Sequence, residues 1–80
     1  MRDSPSAAAR FRDAVRDAAE MIGQHPESGA LRPDLVEAHY RVLTLRRFPY
    51  LIIYDWRSTP VVIVGVLHAA RDISAALRSP

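Results

Sequence analysis

Two apolar runs in the second half of this 80-residue chain constrain its fold more than any other feature. The first spans Tyr50–Trp56 and the second Val61–Leu67, and both are rich in the β-branched and aromatic residues that favour strands. Residues 57–60, Arg-Ser-Thr-Pro, separate the runs, and Ser and Pro are common in tight turns. The segment 46–72 is therefore predicted to form a β-hairpin.

A third strand is predicted just ahead of the hairpin. In residues 39–45, HYRVLTL, alternate side chains fall on opposite faces, as a strand requires: Tyr40, Val42 and Thr44 on one, Arg41, Leu43 and Leu45 on the other. Short turns would join the three strands into an antiparallel meander. Because both faces of the Tyr50–Trp56 strand are largely apolar, we expect it at the centre of the sheet.

The N-terminal part of the chain is predicted to form an amphipathic helix. Ser4 suits the N-cap, and Pro5 suits the first helical position. Apolar residues then recur every three or four positions, as a buried helix face requires: Ala8, Phe11, Val15, Ala18 and Ile22. We place Gly23 just beyond the helix end, and Pro26 prevents continuation. The expected fold is α+β, an N-terminal helix packed on a three-stranded antiparallel sheet, with a short C-terminal helix or tail after Asp72.

Length and composition predict a single small domain over residues 1–80. A domain of this size buries only about 60% of its unfolded surface, so its stability benefits from outside help. The chain has no cysteine, which removes disulfides and thiolate metal sites. It has neither an apolar run long enough for a membrane span nor the apolar core of a secretory signal. We therefore expect a cytoplasmic protein without membrane association, stabilised by a partner chain or by homo-oligomerisation.

Charge is distributed unevenly along the chain. Residues 1–40 carry five Arg against seven Asp and Glu, whereas residues 41–80 carry six Arg against two Asp. All of the basic residues apart from His are Arg, whose forked guanidinium binds carboxylates and phosphates. The basic half would suit an acidic protein segment or nucleic acid. A compositional bias toward Arg is the alternative explanation for the missing Lys.

The side chains that most often carry chemistry are scattered. His25, His39 and His68 lie on different predicted elements without metal-binding spacing, so neither a metal nor any other cofactor is expected. Glycine-rich phosphate loops and nucleophile elbows are also missing from the sequence. His68 is either a structural hydrogen-bonding group or a general acid or base. Trp56 beside Arg57 would make a recognition anchor.

Four blocks, in the right order over nearly the whole chain, resemble the ParE/RelE superfamily of bacterial toxins. Residues 46–54, RRFPYLIIY, resemble its "RFPYLIFY" block, and residues 64–72, VGVLHAARD, resemble its "RVLHGARD" terminus. Residues 3–11, DSPSAAARF, are similar to the start of its second helix. Residues 25–29, HPESG, match the "HPELG" that follows this helix.

The resemblance implies a fold with two helices packed on a twisted antiparallel sheet. Family members usually begin with a strand and a first helix, whereas this chain starts near the second helix. We therefore expect a RelE/ParE-like fold that is shortened at its N-terminus. A sheet edge and part of the helical apolar stripe would lose their cover, and we expect an antitoxin or self-association to cover them.

The resemblance also implies a toxin of a bacterial type II toxin–antitoxin system, neutralised by a cognate ParD-like antitoxin. ParE-like members poison DNA gyrase, and RelE-like members are ribosome-dependent mRNA endonucleases. Gly65 and Ala69 stand where nuclease relatives carry reactive side chains, which favours the ParE-like branch, without catalytic residues. Gly65 is a departure from ParE-like relatives as well. The expected target or antitoxin contacts are Arg46, Arg47, Trp56, Arg57, His68 and Arg71.

Two alternatives remain open. One is an mRNA endonuclease that uses His68 with Arg46, Arg57 or Arg71. The other is an inactive truncated toxin that only binds antitoxin.

Overall fold

One long helix and three strands make up most of the computed structural model, which describes residues 4–45 and 47–72, with side chains from Ser6 onward. In chain order the elements are helix α1 (Ser4–Gln24), a short 3-10 helix (Pro26–Ser28), and strands β1 (Tyr40–Thr44), β2 (Tyr50–Asp55) and β3 (Val62–His68). The strands form one antiparallel sheet in the order β1-β2-β3. The predicted α+β fold of a helix on a three-stranded antiparallel sheet is confirmed. The expected C-terminal helix or tail lies outside the described residues.

Helix α1 is longer than the sequence predicted. It continues to Gln24, so the placement of Gly23 beyond the helix end was wrong. The backbone N–H of His25 donates to the carbonyl of Met21 at 2.7 Å, which continues the helical hydrogen bonding until Pro26, a residue without an N–H. The side chain of Ser4, expected as the N-cap, lies outside the described part of the chain. None of the described helices is both long and apolar enough to cross a membrane.

The main core lies between α1 and the sheet. Ala18 and Ile22 of α1 pack with Leu45, Ile52 and Tyr54, and all five are buried. Nearer the N-terminal end of the helix, the ring of Phe11 lies 5.2 Å from that of Phe48 and 5.1 Å from that of Tyr50. Ala8, predicted on the same stripe, is exposed. The apolar stripe is therefore covered only from Phe11 onward.

The opposite face of the sheet carries a second, smaller apolar cluster. Val42, Leu51 and Ile53 are buried there against Val36, which comes from the connection before β1, and against Leu67 of β3. Strand β2 thus contributes buried residues to both faces, as the sequence predicted for a central strand.

The two edges of the sheet differ. Ala30 covers part of the outer edge of β1 by exchanging two backbone hydrogen bonds with Val42, each 2.9 Å long. Along β3, a register shift between Ile53 and Tyr54 leaves Val64 as the extra residue of a bulge. Within the described part of the chain, β3 pairs only with β2, so its outer edge lacks a neighbouring strand.

Tyr54 holds the connection after α1 against the sheet. Its hydroxyl accepts a hydrogen bond from the N–H of Gly29 at 2.8 Å and donates one to the carbonyl of Pro26 at 2.7 Å. A Cβ atom on Gly29 would lie 2.8 Å from both the Tyr54 hydroxyl and the Val42 carbonyl oxygen. The close approach of this loop to the sheet therefore requires glycine at position 29.

Candidate functional site

The residues predicted as binding contacts lie at two opposite ends of the sheet. Tyr50 is opposite His68 at one end of the β2–β3 pairing, and Asp55 is opposite Val62 at the other. A strand rises about 3.4 Å per residue, so roughly 17 Å separates the two ends. Trp56 and Arg57 lie at the second end, whereas Arg47, His68 and Arg71 lie at or near the first, by their positions along the chain. Arg46 lies outside the described residues.

At the second end, Trp56 gathers two arginines, and we name Arg41, Trp56 and Arg57 the Trp56 cluster. The Cζ atom of Arg41 lies 4.3 Å from the centroid of the Trp56 ring system, and that of Arg57 lies 5.4 Å from it. Both distances are within the range of cation–π attraction. The indole Nε1 donates to the carbonyl of Ala38 at 3.0 Å, which fixes the ring over the chain that leads into β1.

Arg41 was not among the predicted contacts. The sequence predicted only which face of the strand Arg41 occupies. Its proximity to Trp56 depends on the β1–β2 register, in which Arg41 is opposite Tyr54, two residues before Trp56 in the chain. The sequence shows neither which residues are opposite each other nor which Arg reaches the ring. The missing signal is therefore the register of the β1–β2 pair.

The charge of Arg41 is held in place without a carboxylate partner. Its Nη1 donates to the carbonyl of Gly29 at 2.8 Å, and its Nε is enclosed without a hydrogen-bond partner among the described residues. The carboxylate of Asp55 is occupied by the N–H of Arg57 at 3.1 Å and the hydroxyl of Ser58 at 3.3 Å. Across the described residues, no Asp or Glu oxygen lies within 4.0 Å of a nitrogen of either guanidinium group in the cluster.

At the first end, His68 closes the turn that follows β3. Its Nδ1 accepts hydrogen bonds from the backbone N–H groups of Ala70 at 3.2 Å and Arg71 at 3.1 Å. The N–H of His68 donates to Asp72 Oδ2 at 2.7 Å. An accepting Nδ1 carries a lone pair, so the proton of the neutral imidazole is on Nε2. In this arrangement His68 is a turn-stabilising side chain whose lone pair is already used.

Strand β3 exposes apolar side chains on both faces of the sheet between its two ends. Val62, Ile63, Val64 and Val66 are between 38% and 51% exposed, although all are large apolar residues. No charged residue occurs from Val62 to Leu67. We name these four side chains the β3 surface. An apolar strand of this kind on an open sheet edge is a surface at which a further strand can pair.

A cleft of about 590 Å³ lies between α1 and the segment that includes the end of β1 and the connection to β2. Apolar side chains from both elements form much of its wall, and charged residues of both signs accompany them: Ala14, Ala18, Met21, Leu43, Leu45 and Phe48, with Arg10, Asp13, Asp17 and Arg47. Thr44 completes the lining. Arg47 is the one predicted contact that this cleft includes among the described residues.

Comparison with known proteins assigns the chain to a family. The family described as the ParE toxin of the type II toxin–antitoxin system, parDE, matches residues 1–73. Neither a curated protein sequence nor a solved structure gave a match to the chain. The family match covers almost the whole chain and agrees with the observed helix-on-sheet fold. The chain therefore belongs to the ParE toxin family of type II toxin–antitoxin systems.

Proposed function

We propose that this toxin acts in the cytoplasm by binding proteins, with DNA gyrase as its target and a cognate ParD-like antitoxin as its neutralising partner. The observation that carries the proposal is the β3 surface, where Val62, Ile63, Val64 and Val66 are exposed on a sheet edge that no other described strand covers. A protein partner can bury these side chains and also pair with the edge of β3 that faces away from β2.

Nucleic acid is a poorer fit to the same surface. Phosphates are attracted by clustered Lys and Arg side chains, and the segment from Val62 to Leu67 carries neither. Burial of apolar area at about 25 cal/mol per Å² favours a partner that is itself apolar where it touches β3. The β3 surface therefore supports protein binding over RNA binding.

The hydrogen bonds of His68 also support this proposal over RNA cleavage. A general base needs a free lone pair within reach of the hydroxyl it deprotonates. The Nδ1 lone pair of His68 is used by the N–H groups of Ala70 and Arg71. General-base catalysis through Nδ1 would therefore require the turn at 68–72 to open first.

The cleft beside α1 supports a role for the antitoxin. Its partly or fully exposed apolar side chains, including Met21, Leu43 and Phe48, would be shielded from water by an apolar segment of a partner. The prediction made from the sequence is that an antitoxin, or self-association, covers a sheet edge and part of the helical apolar stripe. Analytical ultracentrifugation of the isolated chain measures whether it is a monomer or self-associates in the absence of an antitoxin.

Parallel assays of the purified chain test the proposed target. We expect concentration-dependent inhibition of gyrase supercoiling, with accumulation of cleaved DNA, and no ribosome-dependent cleavage of mRNA in a translating extract. Cleavage of mRNA without an effect on gyrase would overturn the proposal in favour of the endonuclease. An effect in neither assay would also overturn the gyrase proposal and would leave a toxin whose activity is limited to antitoxin binding.

A further inference from the structure

We propose that the Trp56 cluster is a binding site for a carboxylate group on an acidic segment of a partner protein. Arg57, which is exposed, supplies the fork that contacts the carboxylate. Arg41 supplies a second, fixed positive charge, and both guanidinium groups lie against the indole ring of Trp56. The inference deepens the proposed function and rests on it only in taking the partner to be a protein.

Arg41 is positioned before any partner binds. Stacking at 4.3 Å on Trp56 and the hydrogen bond to the Gly29 carbonyl restrain its guanidinium. The ring of Trp56 is in turn fixed by its hydrogen bond to Ala38. A side chain that is already ordered loses little conformational entropy when it binds, so this charge is available at low cost.

The Trp56 cluster carries an unbalanced positive charge. Two guanidinium groups contact one indole, and no Asp or Glu oxygen of a described residue lies within 4.0 Å of a nitrogen of either group. Asp55 keeps its one negative charge while it accepts from the neutral N–H of Arg57 and hydroxyl of Ser58, so the two positive charges exceed it. The partly buried side chain of Arg41 also reduces the screening of its charge by water. An incoming anion would therefore lower the electrostatic free energy of the cluster.

The surroundings of the cluster favour a protein carboxylate as the anion. A guanidinium fork binds carboxylate and phosphate with similar geometry, so the surroundings decide between them. Ile63 of the β3 surface is opposite Tyr54, and Tyr54 is opposite Arg41 on the neighbouring strand, so this apolar side chain lies on the same face of the sheet as Arg41. An acidic segment with apolar neighbours would satisfy the cluster and β3 together. Trp and Arg are also the residue types that contribute most binding energy at protein interfaces.

Intrinsic fluorescence gives a direct test, because Trp56 is the only tryptophan of the chain. The probe is a blocked peptide that alternates Glu and Gly, titrated at low ionic strength beside the same peptide with Gln in place of Glu. We expect a saturable change in Trp56 emission with the Glu peptide only, and we expect added NaCl to weaken the binding.

Two variants and a matched control assign the effect to the cluster. Arg57→Gln is expected to weaken binding of the Glu peptide about tenfold, as the loss of a charge-assisted hydrogen bond does. Arg41→Gln removes the second positive charge and is also expected to weaken binding. Arg16→Gln removes the same charge from an exposed residue of α1 that is paired with Asp13 at 3.0 Å, and it should leave the affinity unchanged. Circular dichroism checks that each variant is folded. Because Arg57 is exposed, its variant keeps the test valid if Arg41→Gln unfolds the chain.

Three outcomes would overturn the inference: equal binding of the Gln peptide, unchanged affinity in Arg57→Gln, or tighter binding of a single-stranded RNA oligonucleotide of the same charge. The titration contains no gyrase. A failed titration would therefore contradict the carboxylate site without contradicting gyrase as the target. A negative gyrase assay would contradict the target without contradicting the carboxylate site.

Discussion

Replacing Ile52 by alanine is expected to lower the free energy of unfolding by about 3 kcal/mol, within the range measured for buried Ile→Ala changes. Ile52 is 0% exposed and lies on central strand β2, where it packs against α1. A domain of this size is stable by only about 5–10 kcal/mol, so a large share of the total would be lost. Urea denaturation followed by circular dichroism measures the change.

Val66→Ala is the matched control for this variant. Val66 is directly opposite Ile52 in the β2–β3 register, yet it is 41% exposed. Its truncation should lower the free energy of unfolding by less than about 1 kcal/mol. Equal losses for the two variants would show that the interior of the molecule does not lie between α1 and β2.

Replacing Tyr54 by phenylalanine is expected to lower the free energy of unfolding by about 2 kcal/mol. The change keeps the ring, which is fully buried, and removes only the hydroxyl. The Gly29 N–H then loses its acceptor and the Pro26 carbonyl loses its donor, both at the point where the loop approaches the sheet. Desolvated groups left without partners cost more than the hydrogen bond itself contributed. Thermal and urea denaturation measure the loss.

Tyr40→Phe is the control for the hydroxyl deletion. Tyr40 packs on the other face of the sheet, and its hydroxyl has no hydrogen bond to a described residue. Its removal should change the free energy of unfolding by less than about 0.5 kcal/mol. A Tyr54→Phe variant as stable as the parent chain would mean that the hydroxyl does not anchor the loop.

The elements that the sequence predicted well are those with a strong local pattern. The apolar runs of β2 and β3 and the alternation of β1 placed all three strands to within about a residue or two, a small error for strand boundaries. The apolar residues on both faces of β2 also identified the central strand. The helix end was misplaced because glycine at position 23 permits a helical conformation as well as a terminal one, and only the bond from His25 to Met21 decides between them.

The candidate site was less predictable because it depends on contacts between distant residues. Trp56 and Arg57 are neighbours in sequence, so their pairing as an anchor was foreseeable. Arg41 reaches the same indole only through the β1–β2 register. The role of His68 depends on the backbone N–H groups of residues 70 and 71, whose direction is set by the turn and not by the residue types.

The claim that the toxin acts through the β3 surface is tested most directly by gyrase supercoiling with two charge-introducing variants. Val64→Lys places a charge in the middle of this surface, at a residue 51% exposed, and Ala7→Lys places the same charge on an exposed residue of α1. Circular dichroism checks that both variants are folded. Half-inhibition is expected to require at least about tenfold more of the Val64→Lys variant than of the parent chain, which corresponds to about 1.4 kcal/mol of lost binding free energy. Ala7→Lys should inhibit like the parent chain. Inhibition by Val64→Lys at the parent concentration would contradict the account.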